Sequence, residues 1–489
     1  MFIFLYNDRT SFLYYNGQIA LWKNHGKASV IRLMSATETN EKEYLFERMP
    51  VPNAVMQLSL PIVISSLVTI LYNLADTFFV GMLNDPVQNA AVTLVYPVVL
   101  AFNAVNNLFG VGVSSAMSRH LGCKEYEQVR TCSAFGFYGA LISGLLFSVM
   151  CTLFQMPLLS LLGADAQTLD ATVGYMSWTV CCGALPAILN VVQSYMVRSE
   201  GSALHASIGT MSGCILNIVL DPIFILPWGL NMGAAGAGLA TFLSNCIACL
   251  YFLVLARIKK GNTYVCMNPF QLRKLNGKQV RNILGVGIPA AIQNLLNVLG
   301  STILNNFTAP FGAAAIAAMG ISQKLYMIPM QIALGFSQGI MPLVSYTYAS
   351  GNRKRMKQAI LFGLKVIVCF LLVLTVGCLV GAPAMIRAFM DSAEIVGYGT
   401  RFLRVMSLGF VFLCVDFLAV GVFQALGMGR QALIFAICRK LVLEIPLLFV
   451  MNWLYPLYGL PFAQLITEIF LACMGLIMLR RIFRQSEHH

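Results

Sequence analysis

Residues 58–67 read LSLPIVISSL and residues 286–295 read VGIPAAIQNL, and the overlay of these two stretches decides the architecture. Pro61 falls on Pro289, an offset of 228 residues (289 − 61). Carried outward, the offset drifts slowly downward. Leu121-Gly122-Cys123-Lys124 falls on Ser350-Gly351-Asn352-Arg353, and Arg198-Ser199-Glu200-Gly201 on Gln424-Ala425-Leu426-Gly427. Residues 54–260 therefore overlie 282–481. Shared hydropathy alone does not explain this, because glycines, a proline and basic turns coincide as well. Self-similarity of this kind marks a fold built twice.

Each repeat is made of apolar segments. Hydrophobic residues fill 58% of the 489 positions and charged residues only 10%, against about 25% charged in a soluble domain. So little charge cannot cover a water-exposed surface, but it suits one facing lipid. A crossing helix needs roughly 20 apolar residues. Twelve such segments are centred in Ala54–Met82, Val87–Ser118, Cys132–Met156, Leu169–Ser194, Ala203–Leu226, Ala234–Ala256, Ile283–Ala309, Ala313–Tyr346, Ala359–Gly381, Phe402–Gln424, Ala432–Met451 and Tyr458–Leu479. Lipid offers the backbone no partner, so they must be helices; the short alternating strands of a membrane barrel do not occur. The expected fold is an all-α integral membrane protein of about twelve transmembrane helices. It forms two parallel six-helix bundles related by a pseudo-two-fold axis along the membrane normal. The expected divisions are a tail over 1–53, an N-lobe over 54–260, a basic linker over 261–281, a C-lobe over 282–481 and a tail over 482–489.

The formal net charge of +13 is gathered in alternate loops. Arg119/Lys124/Arg130, Arg198, the run from Arg257 to Arg281, Arg353/Lys354/Arg355/Lys357, Arg430 and Arg480/Arg481/Arg484 all fall on one side with the N-terminal tail. The loops Leu83–Asp85, Pro157–Asp170, Pro227–Met232 and Asn452–Pro456 carry no Lys or Arg. The positive-inside rule then places both termini in the cytoplasm of a multi-pass cell-membrane protein. Basicity reports topology here, and no nucleic-acid partner is expected. Arg387, Arg401 and Arg404 lie towards the opposite side and are expected on an interfacial helix. The opening MFIFLY lacks a signal-peptide core, and Met34 reads as the working start. The fourteen cysteines mostly fall in apolar segments, where cysteine acts as a small hydrophobe. Cys246 and Cys249 form a lone C-x-x-C, so no metal or redox site is expected.

Chemistry should reside in charges inside the hydrocarbon, where a carboxylate is costly and therefore a functional candidate. Four acids lie well within apolar segments: Asp76, Asp221, Asp416 and Glu444. Asn217 precedes Asp221 by four residues, which places both on one helix face. Asp76 and Asp221 have no basic residue in their own segments, so together they are expected to take up a proton or a cation. Glu444 has Arg439 and Lys440 as neighbours, and either a structural ion pair or a part in transport fits it.

Four stretches, LYNLADTFFVG (71–81), RSEGSALHASIGTMSGCILNIVLDPIFI (198–225), GAAGAGLATFLSN (233–245) and GFSQGIMPLVSYTYASGNRKRMKQA (335–359), occur in order on this repeat. In them the chain resembles the bacterial multidrug and toxic compound extrusion (MATE) antiporters, most of all the MepA-type branch, from about residue 45 to 481. The resemblance implies a V-shaped cavity, a small organic cation as cargo, and H+ or Na+ as coupling ion, with no further cofactor. It implies an acidic cation site at Asp76, Asn217 and Asp221, where Na+ is one possible occupant, with Thr241 as a further polar position. Tyr175, Asn190 and Gln193 resemble its polar lining less closely, and Pro61 matches a proline at which the first helix bends on protonation. Asp416 matches a helix 10 aspartate loosely, whereas the glutamate that some branches carry in helix 7 has no counterpart here.

Two rival readings stand beside export by a functional monomer. A lipid-linked precursor flippase of the same superfamily would line its cavity with several basic residues. A membrane-embedded enzyme would need a His/Asp/Glu constellation, which His25, His120, His205, His488 and His489 do not form. No enzymatic activity is expected.

Overall fold

The computed structural model describes residues 3–7, 10–15, 18–22, 42–390 and 392–487; Met34 lies outside them. Ahead of the helices, β1 (Ile3–Asn7), β2 (Thr10–Tyr15) and β3 (Gln18–Trp22) form an antiparallel meander with β2 central. The twelve apolar segments begin after these strands.

The helices follow the apolar segments. In chain order they are α1 (Val51–Gly81), α2 (Pro86–Gly122), α3 (Tyr126–Leu153), α4 in two arms (Leu169–Cys182 and Ala184–Ser199), α5 (Ala203–Ile225) and α6 (Gly233–Ile258). The second half repeats them as α7 (Gly277–Thr308), α8 (Ala313–Ala349), α9 (Arg353–Phe389) and α10 in two arms (Ala393–Leu408 and Phe410–Ala425). It ends with α11 (Gly429–Ile437, Cys438–Glu444 and Ile445–Leu454) and α12 (Leu460–Glu487). Among the described residues, nine helices are individually long and apolar enough to cross a membrane, and the bent pairs α4 and α10 make eleven. The twelfth, α11, is divided by a π-helical turn over Cys438–Glu444 and carries Arg439, Lys440 and Glu444.

The two bends are equivalent. α4 turns by 44° at Gly183 and α10 by 47° at Gly409, and 409 − 183 = 226, within the drifting repeat offset. At Gly183 a side chain would strike the carbonyls of Trp178 and Thr179, so the kink requires glycine. Arg387 ends α9, and Arg401 and Arg404 lie on the first arm of α10 rather than on a separate interfacial helix. Arg404 donates to the Leu379 carbonyl at 3.0 Å, and Arg401 lies over the Tyr458 ring at 5.0 Å. Arg404 is held by α9 and Arg401 by the turn ahead of α12, which is why no extra helix is needed to place them.

The two bundles meet mainly through α2 against α7 and α1 against α8. Small residues let these backbones approach, as membrane helices commonly do. Gly112 faces the Ile283 carbonyl, Gly287 the Leu108 carbonyl, and Gly339 the backbone of Ser59. Ser115 donates to the Gln424 carbonyl at 2.5 Å, and Arg198 to Gln338 Oε1 at 2.8 Å. All these contacts lie in the halves of the helices nearer the basic loops.

A strap closes that basic end. Residues 42–49 lead into α1, with a π turn at Tyr44–Arg48 and with Leu45 and Phe46 buried. Arg355 at the start of α9 donates to the carbonyls of Phe46 (2.6 Å), Met49 (2.7 Å) and Leu45 (3.2 Å). Tyr346 donates to Glu47 at 2.8 Å while its ring stacks on Phe46 at 4.7 Å. On the N-lobe side, Lys42 pairs with Glu200 at 3.0 Å and Leu45 packs on Gly201. The linker docks beside it: Glu200 accepts from Thr263 Oγ1 (2.9 Å) and from the Tyr264 amide (2.8 Å). Tyr264 stacks on Tyr126 at 5.1 Å, and burial pushes its phenol up to about 12.

The expected topology has a direct test. In a cysteine-free background, Asp165→Cys and Asn231→Cys should react with a membrane-impermeant maleimide from outside intact cells. Reaction only after permeabilisation would reverse the assignment of sides.

Candidate functional site

In the N-lobe, five of the singled-out side chains converge near the helix ends opposite the basic loops. Asp76 is five residues from the end of α1 and Asp221 four from the end of α5. Thr241 is eight residues into α6 and Tyr175 six into α4. Asn217 (1% exposed) and Asp221 (0%) share the α5 face predicted from their spacing. One orientation of the Asn217 amide satisfies its surroundings. Its nitrogen donates to Asp221 Oδ2 at 3.0 Å, and its oxygen accepts from the Thr241 amide at 3.1 Å and from Thr241 Oγ1 at 3.2 Å. Asn217 thereby ties α5 to α6 and leaves the rest of the Asp221 carboxylate available.

Asp76 completes the cluster from α1. It lies within electrostatic reach of Asp221, Tyr72 and Tyr175. Its Oδ1 is buried with no hydrogen-bond partner. A buried carboxylate oxygen without a donor is costly and calls for a proton or a cation. Among the described residues, no Lys or Arg ion-pairs with Asp76 or Asp221, and no group of three or more His, Cys, Asp or Glu could hold a metal ion. The cluster thus gathers two carboxylates, an amide and a hydroxyl with no basic side chain paired to the acids among the described residues.

Asn190 and Gln193 lie deeper, towards the basic end. Asn190 donates to Asn245 Oδ1 at 2.6 Å, and Asn245 donates to the Thr241 carbonyl at 2.9 Å. Gln193 accepts from the Cys249 thiol at 3.5 Å, and its own Nε2 is unpartnered. Thr241, Asn245 and Cys249 follow one another at four-residue spacing along one face of α6. The polar lining therefore continues inward from the acids as a narrow seam between α4 and α6. Pro61 is ten residues into α1, and the helix runs through it.

The C-lobe answers with a different arrangement. Asp416 on α10 accepts from Arg439 Nη1 at 2.8 Å, and Arg439 also grips Glu468 of α12 through Nη2. The Tyr326 hydroxyl donates to Glu468 at 3.3 Å, and the guanidinium lies over the Phe417 ring at 5.0 Å. All three ionic groups are at most 6% exposed. Lys440, one residue on, faces another way and pairs with Glu444 at 2.6 Å. Asp416 and Glu444 are therefore each paired with a base of the lobe, Asp416 sharing Arg439 with Glu468. Glu468 is a fifth intramembrane acid beyond the four singled out above. It lies in ITEIF, midway along an apolar segment, and the same rule of charge in hydrocarbon applies to it.

The MatE family model matches the chain twice, over residues 61–223 and 289–450. The multidrug export protein MepA of Staphylococcus aureus (strain MRSA252) is 34% identical over 444 residues, covering 90% of this chain and 96% of its own. An outward-facing multidrug resistance MATE transporter of the MOP superfamily superposes with a TM-score of 0.84 at 26% identity, over 90% of this chain and 98% of that one. A Pyrococcus furiosus MOP superfamily transporter, described as having a binding pocket of reversed polarity, gives the same TM-score and identity over 91% and 98%.

Proposed function

Because the chain belongs to the MatE family, we propose that it is a multidrug efflux transporter that exports organic cations in exchange for protons or sodium ions. The coupling ion binds in the N-lobe at Asp76, Asn217 and Asp221, with Thr241 orienting the amide. The observation that carries this reading is the contrast between lobes. Asp76 and Asp221 hold no base and Asp76 Oδ1 is unpartnered, whereas Asp416, Glu444 and Glu468 are each held by Arg439 or Lys440, with only Glu468 Oε2 left over. Among the described intramembrane acids, Asp76 and Asp221 thus carry negative charge with no base of the protein beside it, which is the charge an ion from solution neutralises most directly.

The cargo cavity lies between the lobes, which the basic end closes in this state. Under the positive-inside reading that end is cytoplasmic, and the protein acts as a monomer with one cavity per chain. Reconstitution into liposomes with an imposed pH or sodium gradient tests the whole proposal. A fluorescent organic cation is expected to move against its gradient only while the ion gradient lasts, and the ion that drives it names the coupling. Failure of the cation to move under either gradient, with an anionic lipid-linked cargo moving instead, would favour the flippase reading.

A further inference from the structure

Two arginines at the interface between the lobes have no part in the site described so far. Arg198, at the end of α4, is 7% exposed. It crosses to the C-lobe and donates to Gln338 Oε1 at 2.8 Å, its guanidinium lies over Tyr195 at 4.8 Å, and its Nε is buried without a partner. Arg119, near the end of α2, donates to the Ser115 carbonyl at 3.2 Å and presses its guanidinium against the backbone of Gly427 in the C-lobe. Gly427 has a φ of +77° and no side chain to obstruct that approach. The acceptors are a carbonyl and an amide, and among the described residues neither arginine forms an ion pair. Two guanidinium charges are thus carried, without neutralisation, into the seam where the lobes close.

We propose that Arg119 and Arg198 form a charge barrier at the floor of the cavity that excludes cationic cargo from the closed cytoplasmic gate. The proposal rests on the export of organic cations put forward above. A fixed charge acts strongly where water is excluded and weakly where water enters, because the effective dielectric differs about fourfold between a protein-lined site and bulk water. While the lobes are closed Arg198 is buried and Arg119 half-buried, and they repel a cation resting above them. When the lobes part, Arg198 leaves Gln338, water reaches both groups, and the same charges no longer oppose loading from the cytoplasm. The barrier is high in the state that must hold cargo back and low in the state that must admit it. Neutral acceptors also suit a gate that opens, since bonds to them are weaker than ion pairs to carboxylates.

The test uses the full chain in liposomes without an ion gradient, following back-leak of a fluorescent organic cation and of a neutral dye of similar size. Arg198→Gln and Arg119→Gln keep hydrogen-bonding capacity and remove the charge. Arg198→Lys keeps the charge and alters the geometry. Cation back-leak is expected to rise about tenfold in the two Gln variants, to stay near the parent level in Arg198→Lys, and neutral-dye leak to stay constant throughout. Gln variants that leak no more cation than the parent would overturn the barrier. Equal rises for cation and neutral dye, or equal rises in the Gln and Lys variants, would reduce both arginines to mechanical stitches and overturn it too. Gradient-driven export by the parent, measured in the same vesicles, separates the two ideas. A parent that exports no cation overturns the functional reading and this proposal with it, whereas an exporting parent with tight Gln variants overturns this proposal alone.

Discussion

Asp76→Asn and Asp221→Asn are each expected to abolish gradient-driven export while leaving expression and folding intact. The substitution keeps shape and hydrogen-bonding capacity and removes the one property the site trades on, a negative charge that an ion can neutralise. An ion shifts the equilibrium between two shapes of the lobe only through its different affinity for them. With the carboxylate gone that difference vanishes, and a tenfold proton gradient, which supplies about 1.4 kcal/mol per proton, has nothing to act on. Export in proteoliposomes should fall to the level of empty vesicles, with size-exclusion profiles unchanged. Asp416→Asn should cost much less, since Arg439 retains Glu468. Full active export by both N-lobe variants, with Asp416→Asn inactive, would move the coupling site to the other lobe.

Arg439→Met is the second change with a large expected effect, and it acts on stability. The guanidinium holds two buried carboxylates on two other helices. Removing it leaves Asp416 and Glu468 facing each other without a base. Breaking a buried pair from one side typically costs about 3–5 kcal/mol. The thermal unfolding midpoint in detergent should fall sharply and monodisperse yield with it. The triple variant Arg439→Met, Asp416→Asn, Glu468→Gln removes charge from both sides and should recover most of the loss. A triple variant as unstable as the single one would show that Arg439 acts through its packing on Phe417 instead.

How far these sites were legible in the sequence depended on what fixed them. The N-lobe acids were readable because their oddity is local: an aspartate in hydrocarbon with no base in its own segment, and an asparagine one turn away. The C-lobe triad was not, because Arg439 reaches its partners across three helices, and only tertiary packing says which acid it meets. Glu468 could have been found by the rule that found Asp416. The bend at Gly409 carries no proline and lies among many glycines, so composition gives it no mark, whereas the bend at Gly183 stands three residues ahead of Pro186, whose missing amide falls at the break. Arg355 sat in the run Arg353/Lys354/Arg355/Lys357, where four cations signal which side of the membrane the loop faces. Which of the four turns inward is decided by the helix face it shares with the buried Met356, Ala359 and Ile360.

That inward turn bears on how motion travels through α1. The strap gripped by Arg355 is continuous with the base of α1, and the same helix carries Asp76 near its far tip. Pro61 stands between them, lacking the amide that would complete the helical ladder. The helix is thus anchored at one end, with a missing amide ten residues along and the Asp76 carboxylate fifteen residues beyond. At 1.5 Å per residue the arm to Asp76 is about 22 Å, so each ten degrees of bend at Pro61 would swing that carboxylate by about 4 Å. With the base pinned, that swing is delivered to the cavity wall and not to the gate. On the proposed function, bending and gate opening would then be successive strokes, the tip moving while the clasp holds.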